Sequence, residues 1–155
     1  RYLKIKWVFM AKKEVYKLPV FRTAARSFNF IKVDRSDKND RKSINEQAKT
    51  LFSNGWSLMV YPQGTRAKKD NFLPFKSGAF HIALENNIPI LPVVIAGTGD
   101  IWPRDKKFMT SGKAIINTLE PIDMSKYTKE TIDQLVEDTY QKMYEVYKEL
   151  TASIK

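Results

Sequence analysis

The chain alternates short apolar runs with longer stretches in which apolar residues recur at helical spacing. Residues 7–10, 56–61 and 89–96 are apolar enough to form buried strands, and 56–61 has the composition of a central strand. Strands that are buried on both faces are typical of a parallel sheet covered by helices on each side. The pattern therefore predicts an α/β fold with a largely parallel or mixed sheet flanked by helices.

The segments between these runs predict the helices. One helix is expected to begin at Asp37 or Asp40 and to end at Asn54, because its apolar residues fall on one face and a glycine follows. No repeat, low-complexity tract or linker-like stretch divides the chain, which predicts a single domain over residues 1–155. The other predicted elements are a short helical piece at 14–26 interrupted by Pro19, strands at 28–33 and 113–119, a helix from Ser77 or Gly78 to Asn86, and a closing helix at 128–153.

Positive charge is concentrated in the first quarter of the chain. The net charge is +10, and residues 1–42 hold 13 Lys and Arg against 4 Asp and Glu, a net of +9. This excess is compatible with a solvated Lys-rich surface, which is the better interpretation for any single Lys, or with a basic face for an anionic partner. On charge alone that partner is a phosphorylated substrate, a lipid headgroup layer or a nucleic acid. The chain has no cysteine and a single histidine, His81, which excludes disulfides and cysteine-ligated metals and disfavours a His-rich metal site.

A turn with phosphate-binding chemistry follows the predicted strand at 56–61. Gly64 permits a positive φ and close approach of a ligand to backbone N–H groups, while Thr65 offers a hydroxyl. Arg66 offers a planar fork that can grip two phosphate oxygens at once. A bare Gly-Thr-Arg tripeptide also suits an ordinary surface turn with a solvated arginine. Further positive potential in and after the loop at 62–74 comes from Lys68, Lys69 and Lys76.

Three sequence blocks, in order, resemble those of the glycerolipid acyltransferases. They are Phe30-Ile31-Lys32-Val33-Asp34-Arg35, Tyr61-Pro62-Gln63-Gly64-Thr65-Arg66 and Ile88-Pro89-Ile90-Leu91-Pro92-Val93. The chain looks most like the 1-acylglycerol-3-phosphate acyltransferases, the PlsC type, from about residue 7 to residue 121. The resemblance implies a glycerol-3-phosphate acyltransferase-like domain. It also implies transfer of a fatty acyl group from an acyl-CoA or acyl-carrier-protein thioester to 1-acylglycerol 3-phosphate, giving phosphatidic acid in phospholipid biosynthesis.

The resemblance further implies which residues bind the acceptor phosphate. Two arginines match the phosphate-binding positions of the family, and a lysine before the first of these blocks matches a further basic position. The turn at residues 61–66 contributes a threonine hydroxyl, a glycine and the side-chain amide of a glutamine. The predicted phosphate-binding set is Arg35, Arg66, Lys12, Gly64, Thr65 and Gln63. No metal or cofactor is implied, because acyl-CoA or acyl-carrier protein acts as a co-substrate.

The chain departs from the family pattern at two points. The block at residues 61–66 usually has Glu in the family where this chain has Gln63, and an amide cannot form a charged pair with Arg66. The family's general base is the His of a His-x-x-x-x-Asp block, which this chain lacks, so no catalytic residue is predicted within it. His81 shares a helical face with Glu85, but a structural role is the favoured interpretation. In the family this block lies shortly before the strand at residues 7–10, so a chain that begins at Arg1 starts just too late to include it, and the domain is expected to be incomplete at its N-terminus.

Other functions fit parts of the pattern. The enzyme could acylate glycerol 3-phosphate or another lysophospholipid, or the chain could be a non-catalytic relative that binds lipids. A nucleic-acid-binding module rests on charge alone and is disfavoured, because no nucleic-acid motif is present. The expected partners are lysophosphatidic acid, acyl-CoA or acyl-carrier protein and an anionic membrane surface on the cytoplasmic face. Trp102-Pro103 and Phe108-Met109 could touch lipid or a groove that binds the acyl chain, but packing in the core or within a loop is the favoured role.

Overall fold

The structure is a computed structural model that describes residues 5–12, 16–17, 22–23, 30–33, 40–67 and 71–154. Backbone packing divides the chain into two compact units, Arg1–Val60 and Tyr61–Lys155. Among the described residues, the first unit contains three parallel strands, and the second contains two antiparallel strands. Helices accompany the strands in both units. The predicted α/β class, with strands of mixed direction, is confirmed.

The first unit is built on its parallel sheet. Strand β1, Trp7–Lys12, lies between β2, Ile31–Val33, and β3, Ser57–Met59. Lys12 pairs with Val33, so β1 and β2 end at the same edge of the sheet. Lys12, one of the predicted site residues, is therefore at the carboxyl end of β1, and ligands of such sheets bind beyond the carboxyl ends of strands.

Helix α1, Asp40–Ser53, packs against β2 and β3. It ends as predicted: Gly55 has a φ of +72°, and the amide of Trp56 donates to the carbonyl of Leu51 at 3.1 Å. A glycine in the left-handed conformation commonly closes a helix in this way. The buried side chains on α1 recur at intervals of four and three, which places them on one face. The buried apolar residues of this unit are Val8, Ile31, Ile44, Ala48 and Leu51.

The second unit combines an antiparallel strand pair with helices. Strand β4, Val93–Ala96, pairs with β5, Ile115–Thr118. Helix α4, Ile132–Ile154, packs against β4 and against α2, Gly78–Glu85. The unit also contains a short helix α3, Thr98–Ile101, and a 3-10 turn at Met124–Lys126.

Strand β4 buries alternate residues. Val94 and Ala96 on β4 are each 1% exposed, whereas Ile95 between them is 36% exposed. The predicted burial on both faces is therefore wrong for β4, which buries one face only. Alternate residues of a strand point to opposite faces, which explains this pattern.

A cluster of buried apolar side chains forms the core of this second unit. The cluster consists of Phe80, Ala83, Met124, Ile132 and Leu135.

Prolines shorten the strand that was predicted at 89–96. Pro89 and Pro92 have no backbone N–H to donate to a neighbouring strand. Ile90 lies between them and exchanges both backbone hydrogen bonds with Ile122, at 3.1 and 2.7 Å, as an isolated bridge. Regular pairing begins only at Val93. The apolar run is thus correctly placed in the sheet but is interrupted as a strand.

Other predicted bounds also shift. The strand predicted at 56–61 is regular only over Ser57–Met59, and it lies at the edge of the sheet, among the described strands, rather than at its centre. The closing helix begins at Ile132 rather than at 128, because the Thr131 hydroxyl accepts the Thr128 amide at 2.9 Å in a turn before it. Most of the helical piece predicted at 14–26 falls outside the described residues, although residues 22–23 are helical.

Helix α4 is 23 residues long and buries one stripe, on which Leu135, Thr139 and Met143 lie. Its other faces carry charged residues, which is typical of a surface helix packed on a core. Across the ranges that the structure describes, none of the helices combines the length and apolar character that crossing a bilayer requires.

Candidate functional site

The turn at residues 61–66 has the backbone geometry that its sequence predicts. Gly64 has a φ of +70°, and its amide donates to the carbonyl of Tyr61 at 3.0 Å. Glycine adopts this left-handed conformation without steric cost. The carbonyl of Pro62 accepts the amide of Lys76 at 2.9 Å, which ties the turn to the residues just before α2. The predicted role of Gly64 in shaping the turn is therefore consistent with its conformation.

The side chain of Lys76 lies across Gly64. A Cβ atom placed on Gly64 would lie 3.2 Å from Cε and 3.3 Å from Nζ of Lys76. The ammonium therefore approaches the turn that was predicted to bind phosphate, and Lys76 joins the candidate site as a positive group in direct contact with it. Sequence reasoning noted Lys76 only as nearby charge. Lys68 and Lys69, which were given the same role, lie outside the described residues.

Gln63 holds the turn to the loop that follows it. Its Nε2 donates to the carbonyl of Leu73 at 3.3 Å, and the side chain is half-buried. A glutamate carboxylate has no proton to donate to a carbonyl. The amide at this position therefore has a structural consequence beyond the loss of a charged pair with Arg66.

We predict that Gln63→Glu destabilises the protein by about 1 kcal/mol at neutral pH, because one hydrogen bond is lost. The loss should shrink as the pH falls, since a protonated carboxyl can donate again. Urea denaturation at several pH values measures the effect. Gln63→Met removes the donor without adding charge and should lose a similar amount at every pH. Unchanged stability of Gln63→Met would show that the hydrogen bond contributes nothing.

Aromatic packing supports this loop on α4. The Phe72 ring centroid lies 5.4 Å from that of Tyr140, 5.7 Å from Tyr144 and 5.0 Å from Tyr147. The Tyr140 hydroxyl also donates to the carbonyl of Phe72 at 3.1 Å. Ring pairs at these distances contribute beyond simple burial. Leu73, the residue after Phe72, accepts the hydrogen bond from Gln63. The packing of Phe72 on α4 therefore also supports the turn at residues 61–66.

Arg66 is exposed and interacts with the loop after α3. Its guanidinium carbon lies 5.3 Å from the Trp102 ring centroid, a cation–π contact. Nη1 of Arg104 donates to the carbonyl of Arg66 at 3.2 Å. These contacts restrict the Arg66 side chain and backbone, which lowers the entropy cost of gripping a phosphate. Thr65 beside it is also exposed. Nothing in the sequence signalled the Trp102 contact, since the two residues are far apart in the chain.

The remaining predicted residues are placed less completely. Lys12 is the last residue of β1, and its side chain lies outside the described part of the chain. Arg35 also lies outside it. That Lys12 and Arg35 share a phosphate with Arg66 stays a prediction. His81 is half-buried in α2, between the buried Phe80 and Ile82.

Arg66 and Lys76 offer positive charge and N–H donors beside the Gly64 turn. Arg66, Lys76 and the turn around Gly64 combine a guanidinium, an ammonium and a tight backbone turn. This combination suits an anion with several oxygens, such as a phosphate.

Comparisons with known proteins identify the family. A family model described as Acyltransferase matches residues 2–96, more than half of the chain. The chain belongs to the acyltransferase family. The resemblance of the three sequence blocks is thereby confirmed. One relative is a 1-acyl-sn-glycerol-3-phosphate acyltransferase of Cocos nucifera. It is 34% identical over 131 residues, which are 84% of this chain and 42% of the relative.

Two further relatives of this acyltransferase-family chain agree. The human 1-acyl-sn-glycerol-3-phosphate acyltransferase alpha is 31% identical over 120 residues, covering 77% of this chain and 42% of the relative. The crystal structure of PlsC, the 1-acyl-sn-glycerophosphate acyltransferase of Thermotoga maritima, matches with a TM-score of 0.71 and 28% identity, over 90% of this chain and 56% of that one. This chain thus spans about half the length of the relatives it matches.

Proposed function

We propose that this chain is part of a 1-acylglycerol-3-phosphate O-acyltransferase, which converts lysophosphatidic acid to phosphatidic acid in phospholipid biosynthesis. The observation that carries the proposal is the Gly64 turn with Arg66 and Lys76 beside it, in a chain whose relatives are acyltransferases for that acceptor. A lysophosphatidic acid presents a dianionic phosphate at the end of a short glycerol, and this cationic turn complements it.

In this proposal the chain positions the acceptor. Arg66 grips the phosphate through its planar fork, Lys76 adds a second positive charge, and Gly64 shapes the turn and leaves room for the Lys76 side chain beside it. We add Arg35 and Lys12 to this set because their sequence positions resemble the basic positions of the family. Fixing the phosphate holds the glycerol hydroxyl in one place relative to the thioester, which is the main rate advantage that binding can supply.

The hydroxyl must also lose its proton as it attacks the thioester carbonyl. None of the 155 residues belongs to a His-x-x-x-x-Asp block. The family that this chain resembles uses the His of such a block as the base, with its Asp holding the imidazole, and we propose the same base for the full-length enzyme. The transfer forms an ester and releases a thiol, and it needs no metal ion or prosthetic group in our proposal. Acyl-CoA or acyl-carrier protein serves as the donor.

The acceptor is a lipid, so we also propose peripheral attachment to an anionic membrane surface on the cytoplasmic face. Net positive charge favours such a surface through its acidic headgroups. Binding to nucleic acid is not part of the proposal.

The test uses the full-length protein that contains this chain. We expect it to release thiol from an acyl thioester only when lysophosphatidic acid is added, which a thiol-reactive dye measures. The donor alone is the control for hydrolysis. A panel of acceptors, including glycerol 3-phosphate and lysophospholipids with larger headgroups, separates the proposed activity from its neighbours. No acceptor-dependent release with any of them, together with retained lysophosphatidic acid binding, would favour a non-catalytic lipid-binding protein instead.

A further inference from the structure

A loop in the second unit exposes apolar and basic side chains together. We call residues 102–113, between α3 and β5, the basic loop. Phe108 is 83% exposed, Met109 is 68% exposed and Trp102 is 48% exposed. The expectation that these residues pack in the core or within a loop is therefore wrong for Phe108 and Met109. Single exposed apolar residues are common on proteins, but neighbouring ones on a loop mark an interaction surface more often.

The backbone of the basic loop is held in place. The amide of Thr110 donates to the carbonyl of Ile101 at 2.8 Å, which closes the loop at its base. The indole N–H of Trp102 donates to the carbonyl of Lys106 at 3.2 Å, and the amide of Lys106 donates to the carbonyl of Pro103 at 3.1 Å. Compact loops with close ends and internal bonds frequently serve a function. Phe108 and Met109 are thus presented to solvent by a defined turn.

The charge of the basic loop complements acidic headgroups. It contains four basic residues and one acidic residue, Asp105, a net of +3. The basic residues are all exposed. Long basic side chains beside exposed apolar ones are the usual composition of a surface that lies at the boundary between headgroups and acyl chains. The four basic residues are Arg104, Lys106, Lys107 and Lys113.

We propose that the basic loop docks the protein on an anionic phospholipid bilayer. Phe108 and Met109 enter the boundary between headgroups and acyl chains, and the basic residues bind the phosphate groups around them. The inference rests on the proposed function only in that a lipid acceptor gives the protein a reason to meet a bilayer. An acidic protein, such as an acyl-carrier protein, would bind the basic residues, but its binding would not explain why Phe108 and Met109 are exposed.

The basic loop is also connected to the candidate phosphate site. Trp102 lies against the Arg66 guanidinium, and Arg104 donates to the Arg66 carbonyl. Docking through this loop therefore holds Arg66 close to the headgroup layer. A lysophosphatidic acid in that layer has its own phosphate at the same depth, so the acceptor would reach Arg66 without leaving the membrane.

A local probe tests the docking directly. Residues 1–155 contain no cysteine, so in the full-length protein, with any cysteine outside these residues replaced by serine, Phe108→Cys gives a single attachment point for an environment-sensitive nitrobenzoxadiazole dye. With vesicles of phosphatidylcholine and phosphatidylglycerol we expect a blue-shifted, stronger emission that spin labels on the lipid acyl chains quench. The matched control is Ser153→Cys, an exposed position near the end of α4, whose dye should not respond. An unchanged dye at 108 with these vesicles overturns the proposal, and a response to acyl-carrier protein alone replaces it with a protein partner.

Charge variants test the second half of the proposal. Neutralising Lys106 and Lys107 to Gln should lower vesicle affinity about thirtyfold at low salt, with the difference shrinking as salt rises. The matched control neutralises Lys126 and Lys129, which are also exposed in the second unit, and should change affinity little. Equal losses from both pairs would refute docking by this loop.

Vesicle binding and catalysis are separable readouts. Phe108→Ser should lower vesicle affinity about tenfold or more, because apolar burial in the bilayer is lost. The same variant should acylate a short-chain, water-soluble acceptor at the normal rate. Docking that persists in a protein without acyl transfer would refute the proposed function alone, whereas transfer without docking would refute the membrane loop alone.

Discussion

Arg66→Ala in the active full-length protein is expected to lower kcat/KM for lysophosphatidic acid about 10- to 150-fold. This range follows from roughly 1.5–3 kcal/mol for hydrogen bonds between a charged donor and a phosphate. The loss should fall on the acceptor KM or on the acceptor-dependent turnover, with the KM for the acyl donor unchanged. Steady-state kinetics with each substrate varied in turn measures it.

Two companion variants show whether the fork of Arg66 matters. Arg66→Lys keeps the charge but loses the planar, two-pronged geometry, so it should recover only part of the activity. Lys126→Ala removes one exposed positive charge elsewhere in the second unit and should behave like the wild type. A circular dichroism spectrum confirms that each variant is folded. Wild-type kinetics for Arg66→Ala would remove Arg66 from the site.

Gly97→Ala is expected to be the most destabilising of the simple glycine substitutions. Gly97 has a φ of +84°, and a Cβ there would overlap the backbone carbonyl oxygen of Lys113 and lie 2.9 Å from Cδ1 of Ile154. The left-handed conformation costs about 1–2 kcal/mol for alanine, and the overlap adds roughly 1–3 kcal/mol, because backbone must move. We expect the Tm to fall by about 10 °C, since 1 kcal/mol is worth about 2–4 °C at this size. A thermal melt followed by circular dichroism measures it.

Other glycines separate strain from overlap. Gly55 has a similar φ of +72°, and nothing lies within 4 Å of the point that a Cβ would occupy, so Gly55→Ala should lose only the conformational part. Gly64, with a φ of +70°, has the flexible Lys76 side chain nearby, which can move aside. Gly64→Ala should therefore lie between the other two in stability. Equal Tm values for Gly55→Ala and Gly97→Ala would show that the Lys113 carbonyl yields without cost.

Local patterns in the sequence predicted the parts of the fold that depend on local interactions. The end of α1 at Gly55 and the positive φ at Gly64 follow from residue type, because glycine tolerates what other residues avoid. The one-sided burial of α1 follows from the spacing of its apolar residues. The strand at 89–96 was overextended because apolar composition does not show where Pro89 and Pro92 interrupt the pairing.

Features that join distant parts of the chain were not predictable from pattern. Arg66 was a phosphate-binding candidate from its turn, but the ring of Trp102 that restrains it depends on tertiary packing. The same holds for Phe108: an apolar residue in a loop does not reveal whether the fold will cover it. The Gln63 bond to Leu73 likewise needs the loop to return to the turn.

The docking of Phe72 on α4 has a genetic consequence. A premature stop codon before Ile132 would leave every residue of the phosphate turn encoded, yet it would delete the tyrosines on which Phe72 rests. The loop that anchors Gln63 would lose its support. In a screen for loss of function, such C-terminal truncations should therefore have the same phenotype as missense mutations in the turn itself. This similarity is expected although the truncations leave the three sequence blocks of the family intact.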